Sequence, residues 1–110
     1  MKILNLTSGI VISDDVIIAK SHKDRIVGLL KEKEAKALYL ETRWGIHTFG
    51  MKFPIDCVVL DKDWKVSSMN EGMLPWRIFV WNPAFFRVFE LPSGTIKKTK
   101  IKIGDIISIE

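Results

Sequence analysis

The stretch His47-Thr-Phe-Gly-Met-Lys-Phe-Pro-Ile-Asp56 leads directly into an apolar run, Cys-Val-Val-Leu, that ends at residue 60. Residues 55–61 are predicted to form a β-strand, because β-branched residues such as Ile55, Val58 and Val59 favour a pleated, buried surface. Alternation assigns side chains to two faces: Ile55, Cys57 and Val59 on one, and Asp56, Val58 and Leu60 on the other. Both faces are largely apolar, so we expect this strand to be central in its sheet.

Short strands on both sides of this segment complete the predicted sheet. We predict strands over residues 10–13, 16–20, 37–41, 64–69, 85–91 and 106–109, with turns at Asp14-Asp15 and Asp61-Lys-Asp63. An extended stretch 47–53 would place His47, Phe49, Met51 and Phe53 on one side, and residues 70–82 are predicted to be a loop. Short helices are expected after Ser21 and after Pro92-Ser-Gly-Thr95.

These elements predict an α+β fold that forms one compact domain over residues 1–110. We expect a mostly antiparallel, barrel-like β-sheet of about seven or eight short strands with two short helices. Hydrophobic residues make up 47% of the chain and charged residues 27%, enough apolar material for a core.

Charge and composition narrow the class of protein. The net charge of +4 is mild, and the C-terminal lysines suit a solvated face, so no nucleic-acid partner is predicted. Residues 1–7 are too polar for a secretion signal, and no run approaches the roughly 20 apolar residues of a membrane span. We therefore expect a cytoplasmic protein without membrane association. Abundant Lys and Ile with no Gln suit a thermophilic source.

Five segments in order resemble the domain-of-unknown-function family 192, also called uncharacterised protein family 0127. They are Ala19-Lys-Ser-His-Lys-Asp-Arg-Ile-Val-Gly-Leu29, Ile46-His-Thr-Phe-Gly-Met-Lys-Phe-Pro-Ile-Asp56, Leu74-Pro-Trp-Arg77, Phe89-Glu-Leu-Pro-Ser-Gly-Thr95 and Ile101-Lys-Ile-Gly-Asp105. The resemblance implies a compact β-rich domain and no assigned reaction. Relatives often have Asn after the Met-Lys pair, where this chain has Phe53, so any role of that amide is not carried over.

Two carboxylates on apolar strand faces are the sharpest candidates for chemistry. Asp56 and Glu90 must be paired, neutral or poised for acid–base work if they are buried. Arg77, Arg87 and Lys52 are the available cations. One interpretation is an internal ion pair that stabilises the fold. The other is a hydrolase or isomerase site with His47 as the partner of Asp56 or Glu90.

Metal and anion sites receive weaker support. His47, Met51 and Cys57 form a soft-ligand set suited to Cu(I), but they lack the spacing of established metal motifs. We predict no metal and no cofactor. The lone Cys57 excludes an internal disulfide. The Ser93-Gly-Thr95 segment can either hold an anion or cap the helix that follows.

The aromatic residues Trp44, Trp76, Phe79 and Trp81 either line a pocket or cover one end of the sheet. We interpret the chain as a small binding or accessory domain for a small or anionic ligand. The predicted pocket is walled by Trp76 and Trp81 and floored by His47, Lys52, Asp56 and Glu90, with Arg77 as a further ligand-binding residue. Two alternatives stay open: the enzyme described above, and an interaction module that docks a partner through the loop 76–81. The sequence does not decide between a monomer and a dimer.

Overall fold

A five-stranded sheet forms the centre of the computed structural model, which describes residues 1–21 and 36–110. The strands are β1 (Ile3–Asn5), β2 (Val11–Ser13), β3 (Ile17–Ile18), β4 (Leu38–Glu41), β5 (Gly45–His47), β6 (Ile55–Leu60), β7 (Val66–Met73), β8 (Ile78–Val80), β9 (Arg87–Pro92) and β10 (Ile107–Ile109). One helix, α1 (Thr95–Thr99), lies within the described residues. The helix predicted after Ser21 falls on residues outside them.

The strands form three sheets. The central sheet has the order β3-β4-β9-β6-β7, a second has the order β10-β1-β2, and β5 and β8 form a two-stranded ribbon. Among the described strands only β3 and β4 pair in parallel. An antiparallel bridge between Lys65, just before β7, and Ile106, just before β10, links the central sheet to the second sheet. The mostly antiparallel architecture is therefore confirmed.

Strand β6 is central, as its sequence predicts. It lies between β7 and β9, and all six of its residues are buried. Its two faces support two separate cores. Val58 and Leu60 pack with Phe89, Leu91 and residues of the second sheet. The core on the opposite face lies against the ribbon. It contains Ile55, Cys57 and Val59 of β6 together with Val88 and Trp81. The side-chain assignment made from alternation is confirmed.

A polar network on the surface joins β4, β9 and the β6–β7 turn. The Arg87 guanidinium lies 4.3 Å from the centre of the Trp64 ring and donates to Glu41 and the Tyr39 hydroxyl, each at 3.1 Å. The Tyr39 hydroxyl in turn donates to Glu41 at 2.8 Å. Burial raises the pKa of Tyr39 to about 12, although the hydrogen bond from Arg87 acts in the opposite direction. Glu41 is thus a carboxylate partner of Arg87.

The two strands predicted around the Asp14-Asp15 turn are present, but they do not pair with each other: β2 pairs with β1, and β3 pairs in parallel with β4. Two other local expectations differ from the structure because long-range pairing overrides local signals. Residues 47–53 are not extended, because the Met51 amide donates to the Thr48 carbonyl at 3.2 Å and closes a turn. Residues 70–82 contain strand, because β7 continues to residue 73 and β8 pairs with β5.

The predicted barrel was also wrong. The described part of the chain forms open sheets and no closed barrel, with β3 and β7 at the edges of the central sheet. The ten described strands exceed the expected seven or eight because strands as short as β3 and β8 carry little pattern of their own. Closure of a sheet depends on the register of distant strands, which local sequence does not specify.

Candidate functional site

Asp56 accepts three backbone hydrogen bonds within the fold. Its side chain is buried, and its Oδ1 accepts from the amide of Gly72 at 2.8 Å. Its Oδ2 accepts from the amides of Gly94 and Ile96 at 3.1 and 2.9 Å. These contacts tie the end of β7 to the start of α1, where helix amides otherwise lack partners. The carboxylate of Asp56 therefore has a clear structural task.

The same contacts answer the question raised by the Ser93-Gly-Thr95 segment. Two amides at this turn already donate to Asp56, and the Thr95 hydroxyl donates to the Pro92 carbonyl at 2.6 Å. Gly94 has a φ of 94°, a conformation that glycine adopts without strain. The segment forms the start of the helix. Its backbone amides, which an external anion would need as donors, donate to the internal carboxylate of Asp56.

Glu90 lies on the other face of the sheet from Asp56. In the β6–β9 register Glu90 opposes Cys57, whereas Asp56 opposes Leu91. Side chains alternate along a strand, so neighbours such as Asp56 and Cys57 point to opposite faces. Glu90 is fully buried and shares its face with Cys57 and Leu38. The two carboxylates of the predicted pocket are therefore separated by the sheet itself.

The other predicted site residues are distributed around the ribbon. His47 ends β5 and is half-buried; its Nδ1 accepts from the Phe49 amide at 3.3 Å, and its ring stacks on Phe49. Lys52 and Arg77 are exposed. Met51 is buried in the core under the ribbon. The structure thus places His47, Lys52 and Arg77 on the two segments that carry the ribbon, whereas Asp56 lies in β6 and contacts the helix start.

The two tryptophans predicted as pocket walls differ in their surroundings. Trp81 is only 9% exposed, and its indole N–H donates to the Phe85 carbonyl at 2.9 Å. Trp76 is exposed and stacks on Phe49, with ring centres 5.8 Å apart. Trp81 is a core residue, whereas Trp76 belongs to the surface.

An exposed apolar surface, here called the ribbon face, covers the outside of β5 and β8. Its members and exposed fractions are Trp44 (70%), Phe49 (43%), Trp76 (66%), Ile78 (66%) and Val80 (68%). An open groove of about 290 Å³ runs between Trp44, Phe49, Ile78 and Val80. Gly45, Ile46 and His47 also line it. Surfaces of this kind on small proteins often mark contacts with a partner.

Short-range constraints hold the ribbon in shape. A Cβ added at Gly45 would lie 2.4 Å from the Phe79 carbonyl oxygen, so only glycine permits this close approach. At the other end, the buried Thr48 hydroxyl donates to the Leu74 carbonyl at 2.7 Å and accepts from the Arg77 amide at 2.9 Å. These bonds anchor the turn before β8 to the end of β5.

Sequence reasoning missed three contributors to this surface: Phe49 as an exposed residue, and Ile78 and Val80, which it assigned to a loop. The β-branched residues Ile78 and Val80 on either side of Phe79 were the sequence feature that could have indicated a strand here. It spans only three residues between Pro75 and Pro83, too few for a periodic pattern to be convincing. Trp44 and Trp76 precede β5 and β8 with φ values of 81° and 63°, which are unusual for a bulky residue.

The described residues contain neither a metal-binding cluster nor a membrane-spanning helix. Residues 1–21 and 36–110 contain no cluster of three or more His, Cys, Asp or Glu side chains placed to hold a metal ion. In the same ranges, every helix is too short to cross a bilayer.

Comparisons with known proteins assign the chain to a family. A UPF0127 protein of Pyrococcus abyssi (strain GE5 / Orsay) is 32% identical over 109 residues, which cover 94% of this chain and 92% of the relative. A crystal structure from Novosphingobium aromaticivorans DSM 12444, of a protein of unknown function, matches with a TM-score of 0.82 and 17% identity over 99% of this chain and 84% of its own.

A second crystal structure, of a "putative transcription regulator" from Sinorhizobium meliloti 1021, matches with a TM-score of 0.80 and 19% identity over 97% of this chain and 89% of its own. At these identities the two solved structures show a shared fold alone. The DUF192 profile, described as uncharacterized ACR, matches residues 4–109, which is nearly the whole chain. The resemblance seen in the five sequence segments is therefore confirmed: the chain belongs to the DUF192 family.

Proposed function

We propose that this chain is a protein-interaction domain and that its contact surface is the ribbon face. The observation that carries the proposal is the group of five exposed large apolar side chains on one side of a two-stranded ribbon. Exposing such side chains to water is unfavourable, and a partner that covers them gains the burial free energy.

The extent of the surface favours a protein over a small molecule. The five residues of the ribbon face are 43–70% exposed and are spread along both strands and the turns beside them, so a partner must cover a broad area to bury them. Small-molecule sites are concave and bury most of the ligand. The groove of about 290 Å³ is open along the face, and its walls are the exposed residues themselves.

The enzyme alternative receives less support from the geometry. Asp56 is occupied by three backbone donors, and Glu90 is buried on the opposite face of the sheet. A hydrolase or isomerase that used both carboxylates would need them within reach of one substrate. The predicted small-ligand pocket meets the same difficulty, since its floor included both residues.

The experiment is a selection of random ten-residue peptides displayed on phage against the immobilised protein. We expect selected peptides rich in apolar residues, and Ile78→Ser should weaken their binding at least tenfold. The matched control is Ile103→Ser, because Ile103 is also an isoleucine and is 60% exposed, but lies outside the ribbon face.

Two results would contradict the proposal. Selection of no binding peptide would argue against a peptide-binding surface. Peptides weakened equally by Ile78→Ser and Ile103→Ser would place the contact elsewhere on the molecule.

A further inference from the structure

Strand β8 has an open edge on the side away from β5. The Thr48 amide donates to the Arg77 carbonyl at 2.9 Å, and the Trp81 amide donates to the Trp44 carbonyl at 3.0 Å. Backbone groups alternate in direction along an antiparallel pair, so the amides and carbonyls of Ile78 and Val80 point outward. Within residues 1–21 and 36–110, these four groups have no hydrogen-bond partner.

This edge is short and follows a charged residue, Arg77, but it has no bulge, charge or proline within the strand itself. Proteins prevent unwanted strand pairing with bulges, charges or prolines at the edge. β7, at the edge of the central sheet, follows this rule: its register with β6 shifts twice, and its residues 67–72 are mostly polar. β8 instead presents Ile78 and Val80 beside its outward backbone groups, and it pairs with β5 without a register shift.

The two segments that carry the ribbon have only positive charges. Residues 42–54 and 74–86 contain Arg43, Lys52 and Arg77 and no Asp or Glu. All three cations are exposed. Arg77 directly precedes β8, and Arg43 lies at the other end, where Trp44 opposes Trp81. The four residue steps from 77 to 81 span roughly 13 Å in an extended strand.

We propose that β8 binds an extended segment of a partner protein by strand addition, and that this segment has alternating apolar residues and a carboxylate near each end. The inference rests on the proposed function, since it uses the same ribbon face. The amides and carbonyls of Ile78 and Val80 bond the added strand, and the ribbon face contacts its apolar side chains. Arg43 and Arg77 favour the carboxylates at its two ends.

The test uses the synthetic peptide acetyl-Glu-Val-Thr-Val-Glu-amide, whose two carboxylates are four residue steps apart, titrated into the intact protein by calorimetry. Two N-methylated forms of the peptide are compared: one carries methyl groups on its odd-numbered backbone amides and the other on its even-numbered ones. In only one of these forms do the methyl groups lie on the peptide edge that faces β8. We expect one form to bind at least tenfold more weakly than the parent and the other to bind like the parent. A peptide with Lys in place of both Glu residues should also bind at least tenfold more weakly.

A protein variant tests the same contact from the other side. Val80→Pro removes an outward amide, and proline is tolerated on an edge strand where the amide faces solvent. Val80→Ala keeps the amide and removes most of the side chain. We expect Val80→Pro to weaken peptide binding at least tenfold more than Val80→Ala does, with circular dichroism spectra of both variants matching the parent protein.

The outcomes separate this inference from the function on which it rests. If both methylated forms bind equally while Ile78→Ser still weakens binding, strand addition is refuted and the interaction domain stands. If the synthetic peptide does not bind, the inference is refuted and the phage selection decides the function. A second copy seated on β8 would appear in analytical ultracentrifugation as a dimer that Val80→Pro dissociates, and this result would overturn the assignment of a different partner.

Discussion

Replacing Asp56 by asparagine tests whether this carboxylate is structural. The variant has nearly the same shape, but its side-chain amide offers one acceptor oxygen where the carboxylate offers two. In its better orientation, the remaining oxygen stays near Gly94 and Ile96, and the new NH₂ group faces the Gly72 amide. Two donors then face each other at a part-buried contact, and the Gly72 amide loses its acceptor.

The magnitude follows from these contacts. A buried donor left without a partner costs about 1–3 kcal/mol, and each of the two remaining bonds loses about 1 kcal/mol when its acceptor is no longer charged. We therefore expect Asp56→Asn to lower the free energy of unfolding by about 3–5 kcal/mol. Domains of this size have total stabilities of about 5–15 kcal/mol, so the variant should still fold in buffer.

Urea denaturation at pH 7, followed by tryptophan fluorescence, measures this loss. The control is Asp14→Asn, because Asp14 is an exposed aspartate and its replacement should change stability by less than about 0.5 kcal/mol. Peptides that bind the ribbon face should bind folded Asp56→Asn like the parent. A loss of stability below about 1 kcal/mol, together with loss of ligand binding, would refute the structural reasoning and make Asp56 a functional residue.

Three further predictions test the core, the ribbon and the polar network. Trp81→Ala should lower the free energy of unfolding by about 3–5 kcal/mol because its side chain is buried, whereas Trp76→Ala should change it by about 1 kcal/mol or less; equal losses in urea denaturation would contradict this contrast. Gly45→Ala should destabilise the protein by about 1–3 kcal/mol, since its Cβ would collide with the Phe79 carbonyl, and thermal unfolding that matches the parent would be inconsistent with the close approach of β5 and β8. Tyr39, the only tyrosine, should titrate near pH 12 when followed by ultraviolet absorbance. Because its pKa is raised in the folded state, its contribution to stability is present below pH 10 and is lost as the pH rises from 10 through 12. A titration near pH 10 would show that the Tyr39 hydroxyl is not buried.

Particular residues explain how far sequence reasoning reached. β6 was predicted correctly because its apolar residues occupy both faces over six positions, which few structures other than a central strand accommodate. β8 was missed because three residues give too little periodicity, and its pairing with β5 joins positions more than 30 residues apart. The predicted pocket was assembled from residues whose side chains suit ligand binding, without knowledge of the sheet face on which each one lies. The register of β6 with β9 pairs Glu90 with Cys57, and only this pairing shows that Glu90 and Asp56 lie on opposite faces.

The sequence by itself determined the family, the β-rich class, the central strand and the two-faced division of its side chains. Each of these follows from local residue order, either as motif segments or as hydrophobic alternation. Only the tertiary structure decided that Asp56 and Glu90 lie on opposite faces of the sheet, that Trp81 is buried while Trp76 is exposed, and that β8 has an open apolar edge. The physical reason is that burial and edge exposure depend on which distant strands pair and in which register, and that choice is made by the packing of the whole chain.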